Sequence, residues 1–271
     1  MIKIKAVQLI IDKSIKRIFA ALEQRTAPIV TLALVVIILE LLVWGFSIPQ
    51  YLLPAPHVIV GDILNDSDLY FRHTGVTLLE IVLGYFLGAS LGFVAGTVFA
   101  YSKLMAKSFL PYLVASTTVP IVAFAPIVAI YFGAGLVGKV VIAAFLCFFP
   151  VCLNTYKGLI STESVFKDLF HSYAALRGHL FLLLQLPASL PFVFTGLKLA
   201  STAVVVGTIV AEFVQSLKGL GYLILYSAYE MNIPRLWAAV IVSSLLGITF
   251  FGLVSLVERQ ILHWHPSVKD Y

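Results

Sequence analysis

Gly133-Ala134-Gly135-Leu136-Val137-Gly138-Lys139-Val140 comes nearer to a chemical motif than any other segment of the chain. Its Gly-x4-Gly-Lys spacing is that of a P-loop, in which backbone N–H groups cradle phosphates and the lysine reaches the terminal ones. Val140 stands where a Ser or Thr hydroxyl would hold magnesium, and no strand-like run precedes the segment, so nucleotide binding is not expected here. If nucleotide drives this protein, its site belongs to another chain. The histidines at 57, 73, 171, 179, 263 and 265 are expected in loops or the tail, and the His263–His265 pair flanking Trp264 is too few ligands for a metal. Cys147 and Cys152 share one apolar run and read as small packing residues, not as a disulfide or metal ligands. No His-Glu-x-x-His or paired-acid motif falls in the apolar runs, so the chain is not expected to be an enzyme.

The remaining chemistry lies in charges at depth: Glu40, Glu80, Lys198 and Glu212. Each would cost about 2.5–3.5 kcal/mol at the centre of a membrane helix, so each should face protein or water. Lys198 could pair with an acid, line a pathway or snorkel towards the inner surface, and snorkelling is the favoured reading. Glu80 and Glu212 lie nearer the outer side, where head groups would relieve them.

These charges stand out because the chain is 61% hydrophobic and only 11% charged, against about 45–50% and 25% in soluble domains. That composition is a polytopic membrane protein's. At about 20 apolar residues per crossing it holds about six spans, near 27–48, 75–101, 110–132, 138–155, 190–213 and 236–258. Long unbroken apolar runs make these helices and not barrel strands, so the fold class is all-α integral membrane. Lys and Arg concentrate in residues 1–26, in the loops after the second and fourth spans, and in the tail, which places both termini in the cytoplasm of a multi-pass plasma (inner) membrane protein. A net charge of +5 is too small to suggest nucleic acid. Ile4, Val7, Ile11, Ile15, Ile18 and Leu22 recur at helical spacing between lysines, so residues 1–26 are expected to form an amphipathic helix on the inner lipid surface. The membrane domain then runs over 27–262, with a short tail at 263–271.

Within that domain, residues 49–73 form an outer loop whose Leu53-Pro54-Ala55-Pro56 cannot be helix interior. Gly84, Gly88, Gly92 and Gly96 place one glycine per turn on one face, which lets another helix approach closely, within the subunit or across a dimer. Pro120 and Pro126 break the third span, and Pro150 should kink the fourth. Gly219-Leu220-Gly221 opens an apolar run too short to cross, as a re-entrant or interfacial helix would be. The cytoplasmic loop at about 157–187 is expected to start a helix at Ser161 or Thr162, with Glu163 in its first turn. Val165, Leu169, Phe170 and Tyr173 then share an apolar face that needs a cover. It could lie back on its own membrane surface or dock on something outside it.

The loop and the fifth span resemble the membrane subunits of type I ABC importers, in the subgroup that carries nitrate, taurine, alkanesulfonates, the thiamine pyrimidine precursor or riboflavin. Those permeases show an acidic residue, two alanines and a glycine ahead of a Leu-Pro. Aligned without gaps from Leu186-Pro187, Asp168 takes the acidic place and Arg177 a usual basic one, while Leu169 and Phe170 replace the alanines and Ala174 the glycine. Leu186-Pro187-Ala188-Ser189-Leu190-Pro191, Gly196-Leu197-Lys198, Gly207, Glu212-Phe213, Gly219-Leu220-Gly221, Phe148-Phe149-Pro150 and Trp264-His265 all look like the family, over roughly residues 50–265. The resemblance implies a coupling helix between the fourth and fifth spans that inserts Val165, Asp168, Leu169, Phe170, Tyr173, Ala174 and Arg177 into an ATPase subunit. It implies two ATPase subunits carrying ATP and magnesium, no cofactor on this chain, a second and identical permease subunit, and an extracytoplasmic binding protein. Lys198, Gly207 and Glu212 are candidates for the pathway or its gate. Phe148–Thr155 and Gly196–Ala200 look closer to the pyrimidine and riboflavin branch than to sulfonate, taurine or nitrate carriers. The alternative is a stand-alone secondary transporter using Glu40, Glu80 or Lys198 for ion coupling, although no inverted repeat is apparent.

Overall fold

The computed structural model describes residues 26–27 and 29–264. The helix expected over 1–26, Thr26 apart, lies outside the described residues, as does the tail from His265. Within them all regular structure is helical. The order is α1 (Ile29–Gly45), α2 (Pro56–Asn65), α3 (Ser67–Tyr101), α4 (Lys103–Ser116), α5 (Ile121–Phe132), α6 (Leu136–Ile160), α7 (Ser164–Ser172) and α8 (Arg177–Leu180). A π turn (Phe181–Gln185), α9 (Leu186–Gln215), α10 (Leu220–Tyr229) and α11 (Ile233–Ile261) complete it.

Among the described residues four stretches are long and apolar enough to cross a membrane: α3, α6, Arg177–Val214 and α11. α4 and α5 make a fifth if taken together, although they are bent by 106° at their junction. α1, where the first span was expected, is shorter, about 25 Å at the rise of an α-helix. The outer loop expected over 49–73 is itself largely helical. Pro56 opens α2 at a position where its missing N–H would have had no partner, and α3 begins at Ser67. Pro120 does break the third span. Ser116, Thr117 and Thr118 donate their hydroxyls to Tyr112, Val114 and Ala115 carbonyls, which satisfies the last turn of α4 before the chain swings away. Pro126 and Pro150 are carried inside continuous helices.

The core is a sandwich with α6 in the middle, α3 on one side and α9 on the other. Ile81, Tyr85 and Ala89 meet Ala143, Cys147 and Val151, which in turn meet Ala200, Val204 and Val205, closed over by Phe250 of α11. Both cysteines are free and buried, as packing residues should be. The glycine stripe of α3 works within the subunit. A methyl group at Gly88 would collide with the Ala144 carbonyl, one at Gly92 would lie 2.7 Å from the Phe148 carbonyl oxygen, and one at Gly96 2.6 Å from that of Cys152. On the opposite side of α6, Gly196 approaches the Pro150 carbonyl in the same way, at 2.8 Å. In lipid, where apolar side chains gain nothing by leaving the solvent, such backbone approach supplies the dispersion energy that holds helices together.

Two substitutions separate this role from helix propensity. Gly88→Ala should destabilise the detergent-solubilised protein by about 1–3 kcal/mol, the usual cost of overpacking. Gly75→Ala, with nothing within 4 Å of the new methyl, should stabilise it by about 0.5–1 kcal/mol. Thermal unfolding followed by tryptophan fluorescence reads both.

Candidate functional site

The loop between α6 and α9 folds differently at its start from the sequence expectation. Ser161 and Thr162 do not open a helix. Their hydroxyls donate back to the Gly158 and Leu159 carbonyls and so finish α6. Glu163 precedes α7 instead of lying in its first turn, and α7 runs from Ser164 to Ser172. None of its residues is buried. Val165 is 70% exposed, Leu169 50% and Tyr173 79%, with Phe170 half-buried. Phe166 and Leu176, which the expected face left out, are exposed beside them. Leu169, Phe170 and Tyr173 join Ala175, His179 and Leu183 around a cavity of about 290 Å³. Asp168 is exposed on α7, and Arg177, also exposed, opens α8.

Ala174 ends α7 with φ 49°, the left-handed conformation that glycine adopts most easily. The Ala175 N–H donates to the Phe170 carbonyl at 3.1 Å and the Ala174 N–H to that of His171 at 3.0 Å. That pair of bonds is a Schellman C-cap. The geometry thus demands at position 174 the glycine that the resemblance places there, and the alanine carries the strain.

At the other end of α6 stands a buried polar cluster. Glu80 of α3 and Glu212 of α9 are each 1% exposed. Head groups therefore do not relieve them, contrary to expectation; the protein does. Lys139, from the P-loop-like segment, forms an ion pair with Glu80 and donates to Ser216 Oγ at 3.1 Å. Glu212 Oε1 accepts from Thr77 Oγ1 at 2.7 Å, and its Oε2 accepts the Gly221 N–H at 2.5 Å. Leu220 N–H donates to Thr77 Oγ1 at 2.8 Å and Gly219 N–H to His73 Nδ1 at 2.9 Å. The first N–H groups of α10, which no helix can satisfy internally, are therefore held by three side chains, with a carboxylate at the positive end of the helix. Gly219 has φ 112°, and any side chain there would strike the Glu212 carboxylate. His73, expected in a loop, lies within α3 and stacks on Tyr222. Sequence reasoning missed His73, Thr77 and Lys139. For His73 and Thr77 the signal was that they and Glu80 continue the face of Gly84 and Gly88 outward at helical spacing.

The three pathway candidates are not brought together. Lys198 is paired with Glu258 of α11 at 2.7 Å, the acid-pairing alternative and not the snorkelling one. Gly207 packs against Leu146 and Ala143 of α6, and Glu212 belongs to the buried cluster. Glu40 accepts from the His57 backbone N–H at 3.3 Å and contacts its ring, joining α1 to the start of α2. Gly88-Ala89-Ser90-Leu91-Gly92 spells Gly-x-Ser-x-Gly, but it lies inside unbroken α3, without the strand-to-helix turn that exposes a nucleophile. Among the described residues no three His, Cys, Asp or Glu side chains stand together as a metal site.

Lys139→Met should cost about 3–5 kcal/mol by leaving the Glu80 carboxylate buried and unpaired. Adding Glu80→Met should recover most of that loss, since apolar replacement of both partners is commonly neutral. Ala174→Gly should stabilise the protein by about 1 kcal/mol, the relief of one left-handed residue. Both comparisons are read as shifts in thermal unfolding of the purified protein.

Comparison with known proteins agrees with this architecture. The family described as "Binding-protein-dependent transport system inner membrane component" matches residues 84–263. The formylaminopyrimidine transport permease protein ThiX of Halalkalibacterium halodurans is 34% identical, over 93% of this chain and 99% of its own. A probable ABC transporter permease protein of Haemophilus influenzae is 31% identical, over 86% and 96%. The riboflavin transport system permease protein RibX of Chloroflexus aurantiacus is 30% identical, over 88% and 90%. With a family match over most of its length, a nearly all-helical fold and several membrane-crossing helices, the chain belongs to the binding-protein-dependent inner-membrane components, the permeases of ABC importers.

Proposed function

We propose that α7 is the coupling helix of this permease and that its exposed face docks on a partner ATPase. The observation that carries the reading is the apolar face of Val165, Leu169 and Tyr173, left uncovered on a segment outside the spans and fixed in place by the C-cap at Ala174. An apolar surface of that kind in water calls for a protein cover. Asp168 and Arg177 would give the rim its polar contacts. Two ATPase subunits would bind and hydrolyse ATP with magnesium. Their motion, relayed through residues 165–177, would swing the spans of this chain and of a second, identical permease between inward and outward access. An extracytoplasmic binding protein would deliver the substrate.

In this reading the chain crosses the membrane six times with both termini in the cytoplasm. α1 is the first crossing and the bent α4–α5 pair the third. The geometry of Lys198, Gly207 and Glu212 supports a part in fixing α9 against α11, α6 and α10, so that a gate built on α9 moves as a unit. The relatives' names favour a formylaminopyrimidine-like thiamine precursor or riboflavin as cargo over sulfonates, taurine or nitrate. Ion coupling through Glu40, Glu80 or Lys198 has less support, because each already has a partner within the chain.

The test is co-purification of the tagged chain from native membranes in mild detergent, followed by mass spectrometry. The wild type should bring a stoichiometric P-loop ATPase. Leu169→Asp with Tyr173→Asp should reduce its recovery at least tenfold, a charge on each side of the apolar contact costing about 2 kcal/mol or more. Retention of the ATPase by that variant would overturn the docking assignment.

A further inference from the structure

The coupling loop joins the bundle through an unusual joint. Between α8 and α9 the chain widens into a π turn, Phe181–Gln185, closed by the Leu186 N–H donating to the Phe181 carbonyl. The cause is Leu186-Pro187. Pro187 has no N–H for the Leu183 carbonyl, and its ring would clash there in a regular helix, so the preceding turn opens by one residue. A π turn is a weaker and more deformable element than the helix on either side of it, and here it lies between an exposed segment and a rigid one. α7 has no buried residue, whereas α9 is locked on α6 by Gly196 and Gly207.

One side chain spans this joint. Tyr101, the last residue of α3, donates its hydroxyl to Gln185 Oε1 at the end of the turn. Its ring meets Phe181 at the beginning of the turn, edge to face, with centroids 6.1 Å apart. Gln185 is buried, 8% exposed, and its carboxamide oxygen is held by a residue from another helix. Tyr101 therefore grips both ends of the π turn from α3, which itself packs against the far side of α6.

We propose that the Tyr101–Gln185 contact is a strut that stiffens the π turn, so that displacement of α7 reaches the spans instead of being absorbed by the joint. Tyr101 and Gln185 are positioning residues for coupling, and the inference rests on the docking role given to α7 above. Without the strut the ATPase still docks, because the docking face is untouched. The mechanical restraint that the permease places on the ATPase, and the ATPase on the permease, is weakened in both directions, because both pass through the same turn.

The experiment uses the full chain co-purified with its ATPase and measures ATP turnover of the complex against that of the isolated ATPase subunit. In the wild type the two rates should differ. Tyr101→Phe and Gln185→Met should each keep the ATPase at wild-type stoichiometry. Each should move turnover towards the isolated subunit's rate by up to about fivefold, the factor represented by one ordinary hydrogen bond. The double variant should go no further than either single one, because both changes remove the same contact. Wild-type turnover in the variants overturns the proposal, as does a wild-type complex that turns over at the isolated rate. Loss of the ATPase from both single variants also overturns it, since the contact would then serve folding alone. A wild-type chain that purifies without any ATPase sinks the docking reading and the strut with it.

Discussion

The first three N–H groups of α10 set the arrangement of one whole end of the molecule. A short helix buried among long ones brings unsatisfied donors into a region with no water to receive them, and each orphan would cost on the order of a few kcal/mol. His73, Thr77 and Glu212 receive them. To do so α3, α9 and α10 must stand in one fixed relation, and the second carboxyl, Glu80, must be balanced by Lys139 from α6. Four helices are thus fixed by the requirement that a single helix start be satisfied. Glycine at 219 and 221 follows from it, because a side chain at 219 would occupy the space of the Glu212 carboxylate and one at 221 would strike the Ile209 carbonyl and the Glu212 side chain.

The opposite end of α6, about 37 Å away along a helix of its length, is organised on the contrary principle. There the chain leaves the bundle and presents apolar side chains outward, with few contacts back. Between the two ends, small residues bring α3, α6 and α9 together at backbone distance, which leaves little room for relative sliding. A body so built moves as a unit. The segments able to deform are those where regular α-helical hydrogen bonding is interrupted: the α4–α5 bend and the π turn. For a permease this division places compliance between the exposed α7 and the spans, and rigidity inside the spans.

Much of this was legible in the sequence, and the failures have definite causes. The glycine face of α3, the break at Pro120 and the apolar face of α7 all followed from periodicity or backbone chemistry, which are local. Helix starts were read less well. The hydroxyls of Ser161 and Thr162 suit an N-cap, but they equally suit bonding back to the preceding turn, and tertiary context chose the latter. The partners of Glu80, Glu212 and Lys198 were not legible, because each pairing joins helices far apart in the chain and one sequence offers no measure of that proximity. Lys139 reads in the sequence as a P-loop-like residue and an outer-side charge, although a lysine at a helix start in an apolar protein calls for a buried acid. Ala174 shows the reverse case: the gapless alignment marked an alanine in a glycine's place, and the left-handed backbone explains why a glycine belongs there.

Cys147, inside the α3–α6–α9 sandwich, and Cys152, packed with Phe149 against Leu113 of α4, are both fully buried, and the chain has no other cysteine. Thiol reagents act on accessible thiolates, so the native protein is chemically silent towards them while it remains folded. A cysteine introduced on any exposed helix would be the sole labelled position, without first stripping the background. Reaction of Cys147 would in turn report that the sandwich itself had opened, and reaction of Cys152 that α4 had come away from α6.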